Sequence, residues 1–127
     1  MKLLTLEQLL QLHVLVISTT GGSDGLRDLG RLQAAIATQT QNVFGEELYR
    51  SLEEKAAALL RGIVADHPFV DGNKRTAMLT ALTFLEINGA AFNAVQGELE
   101  DFAVKVATEH LDIPTIAMWL KSHSKKV

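Results

Sequence analysis

With 127 residues, 47% of them hydrophobic, the chain carries enough apolar mass for one domain with a real core, expected to span residues 1–127. It contains no cysteine, which excludes a disulfide framework and thiolate chemistry and fits a reducing cytoplasm. A net charge of −3 argues against a surface built to grip nucleic acid, and no apolar run is long enough to span a bilayer.

The N-terminal stretch MKLLTLEQLLQLHVLVIS has the lysine and apolar run of a secretory leader. Glu7, Gln8, Gln11 and His13 interrupt that run, and no small-residue cleavage site follows, so it reads as an amphipathic helix. Thr5 and Gln8 stand at capping-box spacing, and Leu6, Leu9, Leu10, His13, Val14 and Ile17 fall on one face. His13 on that stripe is expected to be a satisfied core residue or one that supports a site from behind, not a ligand. Gly21, Gly22 and Gly25 mark residues 18–27 as a loop. A second helix is expected from Leu29 to about Gln39, with Asp28 as its N-cap. Residues 40–50 lack a period, and a short turn, a small hairpin and a loosely helical flap all fit them.

Ser51 and Glu54 form another capping-box pair, opening a helix with Leu52, Ala56, Leu59, Leu60 and Ile63 along one face. Pro68 disfavours helix at His67, so this helix should end at about Asp66 with His67 extended. From Thr76 to Leu85 there is no charged residue, so the next helix should be apolar on every side and central. Gly89 after Asn88 ends it. Further helices are expected at about Gly97–His110 and Pro114–His123, Pro114 being suited to a first turn. Lys121, Lys125 and Lys126 read as a solvated tail that partly complements a helix end. The fold class is all-α, a compact helical bundle.

Between the two central helices lies His67-Pro68-Phe69-Val70-Asp71-Gly72-Asn73-Lys74-Arg75. A loop that feeds a helix start is a natural anion site, because the first backbone N–H groups lack intrahelical partners and the dipole favours negative charge. Gly72 lets backbone approach an oxyanion, Arg75 offers a fork of donors matched to phosphate, and Lys74 adds a point charge. Asn73 is a further polar group at the same helix start. Asp71 suits Mg2+, which takes one or two carboxylates together with phosphate oxygens. His67 is of the residue type best suited to accepting a proton from a hydroxyl at physiological pH. Phe69 is the residue that would pin the loop to the core. On these residues alone the reaction class is transfer of a phosphate-bearing group from a nucleotide to a hydroxyl, without a Walker A loop or a kinase signature.

The loop resembles the signature of the Fic family, H-x-F-x-[D/E]-G-N-[G/K]-R, and matches every specified position from His67 to Arg75. The run Asn73-Lys74-Arg75-Thr76-Ala77 and the stretch from Gly21 to Gly30 resemble more narrowly the death-on-curing (Doc) branch of that family. The resemblance implies a helical fold with the active loop at the N-terminus of a buried central helix, ATP as donor and Mg2+ as its ion. Most Fic proteins move AMP onto a Ser, Thr or Tyr hydroxyl, whereas Doc-like toxins move the terminal phosphate onto a translation elongation factor. Lys74, where adenylylating members carry Gly, and Met78, where they carry a second Arg, both resemble Doc. Gly72 instead follows the general Fic pattern.

No Glu in the sequence is followed by Gly or Asn, so the family's inhibitory [S/T]-x-x-x-E-[G/N] motif is absent. The resemblance therefore implies a separate antitoxin as partner, while charge and hydropathy lead to the expectation of no direct nucleic-acid or membrane contact. Two alternatives stand beside a Doc-like phosphotransferase: an adenylyltransferase, and a non-catalytic module that binds an antitoxin.

Overall fold

The computed structural model describes residues 1–95 and 97–127. Among them run six α-helices: α1 (Leu6–Thr20), α2 (Leu29–Ala37), α3 (Leu52–Asp66), α4 (Asn73–Ile87), α5 (Glu98–Glu109) and α6 (Ile113–Ser122). A 3-10 turn (Thr38–Thr40) and two small antiparallel ribbons, β1 (Asn42–Val43) with β2 (Glu46–Glu47) and β3 (Ala90–Phe92) with β4 (Ser124–Lys126), complete the described elements. None of these helices is long and apolar enough to cross a membrane. The all-α class holds.

α3 and α4 form the centre. Leu59, Leu60 and Ile63 on α3 and Ala81, Phe84 and Leu85 on α4 are wholly buried. Each large side chain of this set contributes roughly 1.5–3 kcal/mol by leaving water. α1 and α5 cover α4, while α2 and α6 cover α3. α4 is not enclosed on every side, since Leu79 and Leu82 are only half-buried along the edge between α1 and α5.

Both capping boxes form. Thr5 accepts from the Gln8 N–H and Ser51 from the Glu54 N–H, each with the reciprocal side-chain bond. Asp28 caps α2 by accepting from the Arg31 N–H at 3.1 Å. The buried face of α1 is Leu9, His13 and Val16, with Val14 exposed, which corrects the expected stripe. Val14 lies five residues past Leu9, about 140° around the helix, whereas Val16 returns to the same side. α1 also continues through Thr20, because the Ser18, Thr19 and Thr20 hydroxyls bond carbonyls three or four residues back and hold the last turn.

The irregular stretch 40–50 resolves into the β1–β2 hairpin. Its anchor is Lys55 on α3, almost fully buried, whose Nζ donates to the Gln39 carbonyl at 2.7 Å and to Glu47 Oε1 at 3.0 Å. The C-terminal lysines are not a free tail, since Lys125 and Lys126 pair with Ala91 and Ala90 as strand β4. The unpaired edge left by the Ala90–Phe92 segment gives that strand its partner, which alternation over three residues does not reveal.

Candidate active site

α3 ends at Asp66, but His67 is left-handed (φ 47, ψ 60) and not extended as expected. The proline that follows disfavours right-handed helix at His67. The left-handed alternative lets the His67 N–H close the helix on the Ile63 carbonyl at 3.2 Å. A non-glycine residue in that region carries roughly 1–3 kcal/mol of strain, so the surroundings must impose it.

They do so through the glycine-rich loop after α1. Arg27 Nε donates to the His67 carbonyl at 2.8 Å, while Arg27 Nη2 and Arg31 Nη1 donate to the Asp66 carbonyl at 3.1 and 2.8 Å. The Pro68 carbonyl accepts from the Arg27 and Asp28 N–H groups at 2.7 and 2.9 Å, and the Val70 N–H donates to Gly25 at 3.0 Å. Leu26 and Phe69 thereby pair as an isolated antiparallel bridge. Residues 25–28 thus run beside residues 66–70 and clamp them, while the His67 side chain stays exposed.

The second half of the motif is fixed from below. Phe69 is buried and lies flat on the His13 ring, with centroids 3.9 Å apart. His13 Nε2 lies 2.8 Å from the Asp71 carbonyl. The carbonyl can only accept, so this nitrogen carries the hydrogen. Asn73 is buried, and its side chain receives the Phe69 N–H at 3.0 Å and donates to the Phe69 carbonyl at 2.9 Å. Its amide is therefore committed to the loop, which leaves its backbone N–H as the group it presents at the start of α4.

Gly72 is the N-cap of α4 in left-handed conformation (φ +75), and no side chain caps this helix. A Cβ there would stand 3.1 Å from Ile17 Cδ1, which would have to give by a few tenths of an ångström, and the positive φ strains any residue other than glycine. The N–H groups at the start of α4 therefore lack a side-chain partner, the condition under which a helix start accepts an anion. Asp71 Oδ1 accepts from the Gly72 N–H at 2.8 Å and Oδ2 from the Ser23 N–H at 3.1 Å. Those two donors, Ser23 first, hold the Asp71 carboxyl below the ordinary carboxylate range, with the charges of Arg75 and His13 adding to the effect.

His67, Asp71, Gly72, Asn73, Lys74 and Arg75 all line one open cleft of about 800 Å³, a volume suited to a nucleotide. From this polar end the cleft runs along α4 past Met78, Leu79 and Leu82, with Leu15 of α1 and Leu99 of α5 opposite. Lys74 and Arg75 are exposed at its mouth. The donor set suits Mg2+ held jointly with a ligand. Asp71 is the motif's single carboxylate, and no group of three or more His, Asp or Glu side chains that could cage an ion occurs among the described residues. A hard cation of this kind takes one or two carboxylates and completes its shell with phosphate oxygens and water.

Arg27, Arg31, Gly22 and Ser23 were missed as parts of the site. The signal for Gly22, Ser23 and Arg27 lies in the stretch from Gly21 to Gly30, but no spacing rule links positions 27 and 31 to position 67.

The sequence model described as the Fic/DOC family matches residues 3–85. A curated relative from Mycolicibacterium smegmatis named Toxin Doc is 44% identical over 99 residues, covering 76% of each chain. Another, from Escherichia phage P1 and named Protein kinase doc, is 38% identical over 116 residues, covering 91% of this chain and 90% of its own. With the motif complete, the central helix in place and a family match across most of its length, the chain belongs to the Fic/DOC family.

Proposed function

We propose that the protein is a Doc-like toxin of a toxin–antitoxin system that transfers the terminal phosphate of ATP to a hydroxyl of a target protein and so arrests growth. The carrying observation is the convergence on one cleft of an exposed His67, the Asp71 carboxylate and an uncapped α4 N-terminus flanked by Lys74 and Arg75. The names of the two relatives, a toxin and a protein kinase, support the same reading.

In this reading the α4 N–H groups, Lys74 and Arg75 bind the phosphate chain, and His67 receives the proton of the target hydroxyl. The hydroxyl oxygen bonds to the terminal phosphorus, the bond from that phosphorus to the bridging oxygen breaks, and ADP leaves. Asp71 would hold Mg2+, which when bound offsets phosphate charge. The buried Met78 places an apolar wall where adenylylating relatives carry an arginine, which favours presentation of the terminal phosphate. Gly72 favours the alternative, AMP transfer, since it keeps the general Fic pattern.

We assign the target to the translation elongation factors, following the Doc resemblance. The partner that restrains the protein is a cognate antitoxin, and the apolar half of the cleft, with half-exposed Leu15 and Val104, is the surface that one of its segments would cover. Residues 1–127 would act as one domain in the cytoplasm, without contacting nucleic acid or membrane. The test is the mass added to a purified elongation factor incubated with the protein and Mg2+–ATP. A phosphate is expected. Addition of AMP would install the alternative, and no addition would overturn the assignment of this target.

A further inference from the structure

His13 has no part in the reaction as proposed, yet it touches the motif twice. It lies on α1, which carries no motif residue, and it is 2% exposed. Its ring covers Phe69 at 3.9 Å with the planes 5° apart, and its Nε2–H donates to the Asp71 carbonyl at 2.8 Å. The other ring nitrogen, Nδ1, faces the exposed Asp24 at 3.9 Å, within the same glycine-rich loop whose Ser23 N–H holds the Asp71 carboxylate. One side chain therefore grips both ends of the segment Phe69–Asp71.

The consequence lies at Asp71. Among the described residues its carboxylate bonds two backbone N–H groups, from Ser23 and Gly72, and neither holds the Asp71 carbonyl. The carbonyl of the same residue is fixed by His13 alone among the described residues. A peptide group free to rotate there would carry away the Gly72 N–H, one of the two donors that hold the carboxylate, because the Asp71 carbonyl and the Gly72 N–H belong to one planar unit.

We infer that His13 is a positioning residue that aims the Asp71 carboxylate at the metal bound with the nucleotide, acting through the Asp71 carbonyl. This inference rests on the proposed assignment of Asp71 to Mg2+. A role confined to packing would make the ring replaceable by any apolar group of similar size. A positioning role requires a hydrogen donor at the place of Nε2. Glutamine supplies one, since its amide nitrogen is as many bonds from Cβ as the Nε2 of histidine. Asparagine is one bond too short, and leucine has no donor.

The experiment is calorimetric titration of the full chain with ATP, once with Mg2+ and once with a chelator, for wild type and His13→Gln, His13→Asn and His13→Leu. Melting temperatures are recorded alongside. Removing a group that orients a metal ligand typically lowers metal affinity about 10–100-fold. The expected result is a fall of that size in the Mg2+-dependent gain in ATP affinity for His13→Leu and His13→Asn, with metal-free ATP affinity retained. His13→Gln should restore most of the gain. If His13→Leu does not fold, the contrast between Gln and Asn decides alone. A wild-type gain in His13→Leu or His13→Asn, or equal losses with and without Mg2+, would overturn the inference. A wild type that binds ATP but gains nothing from Mg2+ would overturn the Asp71 assignment as well, and one that binds no ATP would overturn the proposed function itself.

Discussion

Gly22 separates what a glycine does for the chain from what it does for the site. It sits at φ +114, and a Cβ built on it would stand 2.7 Å from Asp71 Oδ2 and 3.3 Å from Ile17 Cδ1. Its neighbour Gly21 also has positive φ, +81, but a Cβ there meets nothing within 4 Å. Alanine at either position carries backbone strain of roughly 1–3 kcal/mol, equivalent to a fall in Tm of about 4 °C per kcal/mol for a chain of this size. Only Gly22→Ala also forces an atom aside. The atom that must yield is the end of the Asp71 side chain, so the carboxylate should rotate and release the Ser23 N–H it accepts at 3.1 Å. Both variants should therefore melt lower by comparable amounts. Gly22→Ala alone should lose about 10-fold or more in Mg2+-dependent ATP affinity, the scale on which displaced metal ligands report. Thermal melts paired with calorimetric titration give both numbers. Equal Mg2+–ATP affinity in the two variants would refute the claim that the glycine-rich loop sets Asp71.

Four further outcomes are expected. His67→Ala should keep its circular dichroism spectrum and melting behaviour, because the side chain is exposed, while transfer to the target falls roughly 10²–10⁴-fold. Phe69→Ala removes a buried ring stacked on His13 and should destabilise by about 3–5 kcal/mol in denaturant titration, a loss near 1 showing that the loop is not pinned there. Asp112, hydrogen-bonded by Thr115, and Glu98, bonded by the Val95 N–H and His123, sit below their ordinary values of 3.8 and 4.5. Their stabilisation is therefore full above those values and is lost as pH falls through the lower folded ones, so acid unfolding monitored below pH 4.5 should flatten in Asp112→Asn and Glu98→Gln. The pair Lys74→Gly with Met78→Arg should shift transfer towards AMP, weakly, because position 78 is only 5% exposed and an arginine there must find its way to the cleft; unchanged donor use would show that these positions do not set it.

Most of the helices were legible because their signals are local. Capping boxes at Thr5 and Ser51, the cap at Asp28 and the uncharged run from Thr76 each rest on neighbours within one or two turns. The strand at 124–126 was not legible, since it exists only by pairing with residues 90–92 more than thirty positions away. The same division runs through the site. The motif residues are contiguous and announce themselves, and all six line the cleft. Asn73 differs because its amide finds the Phe69 backbone four residues back, a contact that depends on the loop's fold. His67 differs in conformation, because Arg27 from the glycine-rich loop and Arg31 from α2 cap the carbonyls around it. His13 was placed correctly behind the site by its position on an apolar stripe, but its partners were not readable there.

Which phosphorus of ATP is attacked can be read with ATP labelled separately on its first and its terminal phosphate. The protein, with His67→Ala as control, is incubated with Mg2+, each labelled ATP and a purified translation elongation factor. Label from the terminal phosphate alone should appear on the factor, and it should vanish in the variant. Label arriving only from the first phosphate would contradict the account and identify the protein as an adenylyltransferase.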